Sequence, residues 1–377
     1  MTVPNRRVAV LAGILLLSGA GCARDRGPIR LGWAGGPLSD STVAPSLHTA
    51  RLAVGEINAS GGVRGRLLEL VALDDYGEPD SAIRVAAALR DSGVIAVIGH
   101  TYSSTTLAAA PVYNNPADPL LEVSPSATSP EISRAGDYTF RICPSDERYG
   151  AALADWAWQH LHLTRGVVFY VNDSYGRGIR RTFSREFRRQ GGEVTDLEPF
   201  LESRPEVGPY VDRLARQGNA QFIVLAGNVT AGAEVLRQIR ARGITLPVLG
   251  GDGLDGIEAA GPVAAGVYLT TVYLPTLTTE ENTRFLEAYR AAFPLGGAVD
   301  YSAAATYDLV YLLRTALERA APGRRGLRDA VAATGQSAPA YAGVTGTIAF
   351  DALGDVPDLH IRIGVVRNGT LRPAEER

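Results

Sequence analysis

The amino-acid sequence predicts an α/β protein of two similar lobes, each a parallel sheet covered by helices, on three observations. From Ile29 onward, short apolar runs alternate with stretches of helical periodicity, the pattern of βαβ units. The same succession then occurs again: residues 61–100 and 191–228 each run from Gly-Gly through a strand, an acidic-Pro turn and a helix. Both end in a short apolar strand closed by Gly and a polar residue. Third, two neighbouring apolar runs open into hydroxyl-rich turns, where the sheets of such folds place their ligands.

In chain order, IRLGWAG (29–35) reads as a strand and LHTARLAVGEINAS (47–60) as a helix. LLELVALDD (67–75) is a second strand, SAIRVAAALRDSG (81–93) a second helix and VIAVIGH (94–100) a third strand. The knot Thr101, Ser103, Ser104, Thr105 and Thr106 follows, at the start of an alanine-rich helix. First-turn N–H groups have no internal partner and the dipole is positive there, so the knot suits an anion; ordinary capping is the other reading. LLEVSPSATSPEIS (120–133) again leaves a strand for hydroxyls, at Ser124, Ser126, Thr128 and Ser129, and two such turns side by side suggest one polar pocket. Farther on, Trp156 and Trp158 read as helix packing, and RRTFSREFRRQ (180–190) as a solvated helix with Phe183 and Phe187 turned inward at i, i+4.

Composition narrows the function. With 377 residues, 46% of them hydrophobic, the chain has room for two domains. Its net charge of −3 is spread along the chain and every basic residue is arginine, so the clustered positive charge of a nucleic-acid binder is missing. The start reads as an export signal over residues 1–21: Arg6 and Arg7, an apolar run over 8–17 too short to span a bilayer, then small residues. SGAGC (18–22) resembles a bacterial lipobox, which implies that Cys22 carries lipid and anchors an extracytoplasmic protein to a membrane. Cys143 is the only other cysteine, so a lipid-bearing Cys22 excludes an intramolecular disulfide.

INASGGVRG, VIGHTYSSTT, SPSATSPE, NDSYGRG and LGGDGLDG, in this order and spacing, resemble the leucine/isoleucine/valine-binding branch of the type 1 periplasmic binding proteins. The resemblance implies two Rossmann-like lobes joined by three crossover strands, lobe 1 being 29–143 plus 274–345 and lobe 2 being 144–273 plus 346–368. It also implies a free amino acid in the inter-lobe cleft, of branched-chain or related type, an ABC permease and ATPase complex as partner, no cofactor and no catalysis. Carried onto this sequence, the carboxylate site falls on Ser103 and the turn Ala127-Thr128, and the ammonium site on the turn at Ser126 and Thr128 with Asp252. Tyr175 reaches across from the second lobe. The chain departs from the family at three of these places: Tyr102 stands where a small residue or Cys is usual, Asn228 where an aromatic ring is frequent, and Asp252 where the glutamate is one methylene longer.

Other readings of the same residues are weaker. GDGLDG (251–256) matches the dinucleotide pattern G-x-G-x-x-G, but Asp252 would face the pyrophosphate and no acid follows about twenty residues later. No G-x-S-x-G elbow occurs, His160 and His162 point to different helix faces, and His100 reads as structural or cleft-lining rather than a base. No Cys/His spacing suits a metal. A receptor or sensor of the same fold for an amide, urea or aromatic carboxylate is the alternative ligand class.

Overall fold

The computed structural model describes residues 27–39 and 43–375. Cys22 and the signal segment 1–21 lie outside the described residues. The first sheet is wholly parallel, with β1 (Ile29–Gly35), β2 (Leu68–Asp74), β3 (Ala96–Ile98), β4 (Leu121–Ser124) and β5 (Thr139–Arg141) in the order β2-β1-β3-β4-β5. Between its strands run α1 (Ala44–Ala59), α2 (Pro79–Asp91) and α3 (Ser103–Tyr113).

The second half repeats this plan. After α4 (Asp146–Asp155) come β6 (Arg165–Val171), α5 (Ser174–Arg189), β7 (Glu193–Phe200), α6 (Gly208–Gln217), β8 (Phe222–Ala226), α7 (Val229–Ala241), β9 (Val248–Gly250) and β10 (Val267–Thr271). Their order is β7-β6-β8-β9-β10, the same permutation as in the first sheet. In both, the order reverses beside the first strand, so helices leave to opposite faces and a crevice opens at the carboxyl ends there. The Gly-Gly pairs have one task in both halves: Gly61 and Gly191 take positive φ, and the N–H groups of Gly62 and Gly192 close the preceding helix on Ile57 and Phe187, each at 2.9 Å.

The chain then returns. Helices α8 (Glu280–Ala292), α9 (Tyr301–Arg319) and α10 (Gly323–Ala332) follow the second sheet in sequence, yet α9 packs on α1, with Ser46 and Thr306 hydroxyls 2.8 Å apart and Thr49 donating to the Ala303 carbonyl at 2.8 Å. A hairpin of β11 (Tyr341–Ala342) and β12 (Thr347–Ile348) leads to the antiparallel strands β13 (Arg362–Arg367) and β14 (Thr370–Pro373), which extend the second sheet beyond β10. Three connections therefore pass between the sheets, at 142–145, 272–279 and 349–361, none of them paired as a strand.

Phe183 and Phe187 are fully buried on α5, stacked at 5.2 Å with the Phe222 edge against both. Trp156 stacks on His160 at 4.2 Å and Trp158 meets the Phe187 edge, so both indoles are packing groups. Cys143 is buried, its thiol donating to the Ala127 carbonyl. Among the described residues no helix is long and apolar enough to cross a membrane.

Candidate functional site

Both crevices face one cavity, and its first wall is the start of α3. The hydroxyl knot does not cap this helix: the N-cap position is Tyr102 and no side chain accepts there. The Thr105 and Thr106 hydroxyls turn back to the Tyr102 carbonyl instead, at 3.0 and 2.9 Å. Ser103 is different. Its Oγ accepts from the Thr128 N–H at 3.1 Å and from the Ser129 N–H at 3.0 Å. A hydroxyl has two lone pairs and one proton, so Ser103 has filled its acceptor positions and keeps the proton to give. It offers that proton beside first-turn N–H groups at the positive end of a helix.

The neighbouring turn is held rigidly. Ser124 Oγ donates to the His100 carbonyl at 2.6 Å and accepts from the Ala127 N–H at 2.9 Å, while Ser126 Oγ donates to the Thr101 carbonyl at 2.8 Å. From behind, the fully buried Arg141 donates to the carbonyls of Thr128 and Ser129, at 2.9 and 2.8 Å, and pairs with Asp355 at 2.7 Å. Ser126 lines the cavity, but Ala127 and Thr128 stand behind its wall with their N–H groups committed to Ser124 and Ser103. His100 is also behind the wall, Nδ1 at 2.5 Å from Asp75 Oδ2 and Nε2 at 3.1 Å from the Tyr113 hydroxyl.

The opposite wall comes from the second sheet. Past β9, the Gly253 N–H donates to the Tyr175 hydroxyl at 2.9 Å. A Cβ on Gly251 would collide with that hydroxyl, and one on Gly253 would sit 2.8 Å from it. The glycines that imitate a dinucleotide fingerprint thus make room for the Tyr175 ring. Between them Asp252 is 2% exposed and faces the cavity. Its Oδ2 lies 2.7 Å from the Tyr301 hydroxyl, its Oδ1 is buried, and the Tyr175 hydroxyl, which accepts from Gly253, keeps its proton to donate to this carboxylate. Burial pushes the Asp252 carboxyl up to about 7, against hydrogen bonds of which the one from Tyr301 is foremost.

Tyr301, at the start of α9, bridges the two walls: its hydroxyl is also 3.1 Å from the Ser126 carbonyl. One phenol proton cannot serve two acceptors at once. The Asp252 contact at 2.7 Å is the shorter of the two, and the Ser126 carbonyl at 3.1 Å is the alternative acceptor.

Of the sequence-predicted residues, Tyr102, Ser103, Ser126, Tyr175, Asn228 and Asp252 meet at this cavity. Asn228 is committed at both ends: it caps α7 by accepting from the Ala231 N–H at 2.8 Å and donates to Glu202. Four further acids on the wall escaped the sequence reading. Asp173 and Asp300 cap α5 and α9, each accepting one N–H at 2.8 Å, and in sequence such residues look like any N-cap. Asp255 accepts from the Thr271 hydroxyl at 2.6 Å, and Glu202 is the partner of Asn228. Burial raises Asp173, Asp255 and Asp300, the last to about 7. The available signal was position: Asp173 stands two residues past a strand, in the same kind of strand-to-helix turn as the hydroxyl knot.

Comparison with known proteins agrees with this architecture. A model of the periplasmic binding protein family matches residues 30–370. In sequence the chain is similar to the leucine-specific-binding protein of Salmonella typhimurium, 28% identical over 322 residues that cover 83% of this chain and 84% of that one. In structure it is similar to the branched-chain amino acid transporter substrate-binding protein of Streptococcus pneumoniae in complex with isoleucine, at a TM-score of 0.83, 27% identity and coverage of 92% of this chain and 98% of that one. An ABC transporter substrate-binding protein of Desulfitobacterium hafniense in complex with Leu gives a TM-score of 0.77, 30% identity and coverage of 92% and 99%. With the strand order repeated in both halves, a cavity at the facing crevices and a family match along nearly the whole chain, the protein belongs to the periplasmic binding protein family.

Proposed function

We propose that this protein is the extracytoplasmic solute-binding component of an ABC importer and closes on a free α-amino acid, of the branched-chain or a related type. The observation that carries the reading is the polarity of the cavity: a hydroxyl with only its proton left to give, at a helix start, opposite a buried carboxylate whose neighbours are hydroxyls and no cation. A zwitterion fits that pair with its carboxylate on Ser103 and its ammonium on Asp252. The relatives named for leucine and for branched-chain amino acids support the same ligand class and an ABC permease and ATPase as partners. Lobes of 29–143 plus 274–345 and 144–273 plus 346–368 are part of this reading, and catalysis and cofactors are not. A thermal-shift screen of the twenty amino acids tests it, because a ligand at 100 Kd adds about 2.7 kcal/mol of stability. A protein that no amino acid stabilises would refute it.

Ser103→Ala is expected to weaken binding by about 1.5 kcal/mol, the low end for a hydrogen bond to a charged group, because the first-turn N–H groups of α3 remain. Calorimetry reads this, with a melting curve to account for the two N–H groups that lose their acceptor. Lipid on Cys22 belongs to the same proposal. Cys22→Ser is expected to move the protein from the membrane to the soluble fraction, and a wild type without lipid in mass spectrometry would remove the anchor from the reading.

A further inference from the structure

The cavity is more acidic than a ligand with a single ammonium group requires. Among the described residues its wall carries five carboxylates, those of Asp173, Glu202, Asp252, Asp255 and Asp300, and no basic residue. Asp252 answers the α-ammonium. The other four have hydrogen-bond donors, helix N–H groups for Asp173 and Asp300, a hydroxyl for Asp255 and an amide for Glu202, and Asp173 also has the Arg177 guanidinium near it, whereas the charged neighbours of Asp255 and Asp300 are carboxylates. Two of them belong to facing sides, Asp300 at the start of α9 and Asp255 just past the turn Asp252–Leu254 that follows β9. Asp300 and Glu258 are near enough to Asp255 to hold its ionisation back.

A second observation is independent of charge. A further polar atom of this wall, Ser302 Oγ, is buried with no hydrogen-bond partner, on a residue 8% exposed. Ser302 lies in the first turn of α9, two positions from Asp300. Buried polar groups are almost always bonded, so atoms left open on a cavity wall await a donor from the occupant.

We propose that the ligand is an α-amino acid whose side chain ends in a second cation, an ammonium or a guanidinium, seated between Asp255 and Asp300 with Ser302 as a further acceptor. This rests on the α-amino-acid reading above and puts a basic side chain in place of a branched-chain one. A cation between two carboxylates from facing sides turns their repulsion into a clamp. Without a cation, burial and mutual proximity keep both carboxyls raised, so an apolar side chain gains nothing from them.

Calorimetry on the full chain with arginine, lysine and leucine tests this. Arginine or lysine is expected to bind about tenfold or more tightly than leucine, and Asp255→Asn and Asp300→Asn to cost that basic ligand about tenfold while changing leucine binding less than about threefold. Asn at position 300 keeps an acceptor for the α9 cap, and if Asp255→Asn does not fold, the wild-type ranking and Asp300→Asn decide. Leucine binding as tightly as both basic amino acids would overturn the proposal and leave the amino-acid reading intact. Failure of all twenty amino acids to bind would overturn both.

Discussion

Asp252→Ala is expected to weaken amino-acid binding by about 3–5 kcal/mol, on the order of a hundredfold to several thousandfold. The size follows from burial. Asp252 is 2% exposed, so an ammonium brought against it loses its water and depends on this carboxylate for compensation. Removing the side chain leaves the cation buried and unpaired. It does not orphan Tyr301, whose hydroxyl keeps the Ser126 carbonyl at 3.1 Å, so the fold is expected to survive the substitution. A simple carboxylate ligand would respond in the opposite sense, because losing Asp252 relieves repulsion. Calorimetry with one amino acid and its deaminated analogue separates the two outcomes, and undiminished amino-acid affinity in the variant would sink the amino-acid reading.

Amino-acid affinity is expected to fall about tenfold for each pH unit below 7, about a hundredfold between pH 7 and 5, and to level off above 7. In the ligand-free protein burial holds the Asp252 carboxyl up to about 7. The groups facing it are Tyr301, Tyr175 and Tyr149, the Cys143 thiol, and the acids Asp146 and Asp255. None of these is a cation, so the ligand's ammonium is the group that would pull the carboxyl down. Below pH 7 the carboxyl must therefore lose a proton to accept the ligand, and binding should release close to one proton, read by calorimetry in buffers of different ionisation enthalpy. Ligand-free stability should run the other way. Asp252, Asp300 and Asp308 are raised to about 7, 7 and 6, and Glu122, Asp146 and Asp255 are raised as well. Carboxyls raised by folding contribute stability that is complete below about pH 4 and is lost as pH climbs through their folded values. An affinity that does not change between pH 5 and 7 would contradict the role given to Asp252.

Some features of this protein are local and were legible without coordinates. Apolar runs at strand length and the doubled Gly-Gly closures specify two α/β halves, because helix and strand periods and positive-φ glycines act over a few residues. Phe183 and Phe187 turn inward as their i, i+4 spacing predicts. The hydroxyl knot was visible as a turn at the end of a strand, of which Thr101 and Ser103 line the cavity, and the resemblance to a known family pointed to Ser103, Tyr175 and Asp252, which stand on the cavity wall.

Tertiary structure alone decided which atoms of those residues are available. Ser103 is a pure donor because the Thr128 and Ser129 N–H groups, 25 and 26 positions away, fill its lone pairs, and by the same bond Thr128 is withdrawn from the cavity. Asp300 is an ordinary helix cap in sequence and becomes part of an acidic wall only because α9 returns to the first sheet and carries it beside Asp255. Burial and charge proximity depend on residues far apart in the chain, so periodicity and motif cannot report them, and here they raise the Asp252 carboxyl and make the cavity wall acidic.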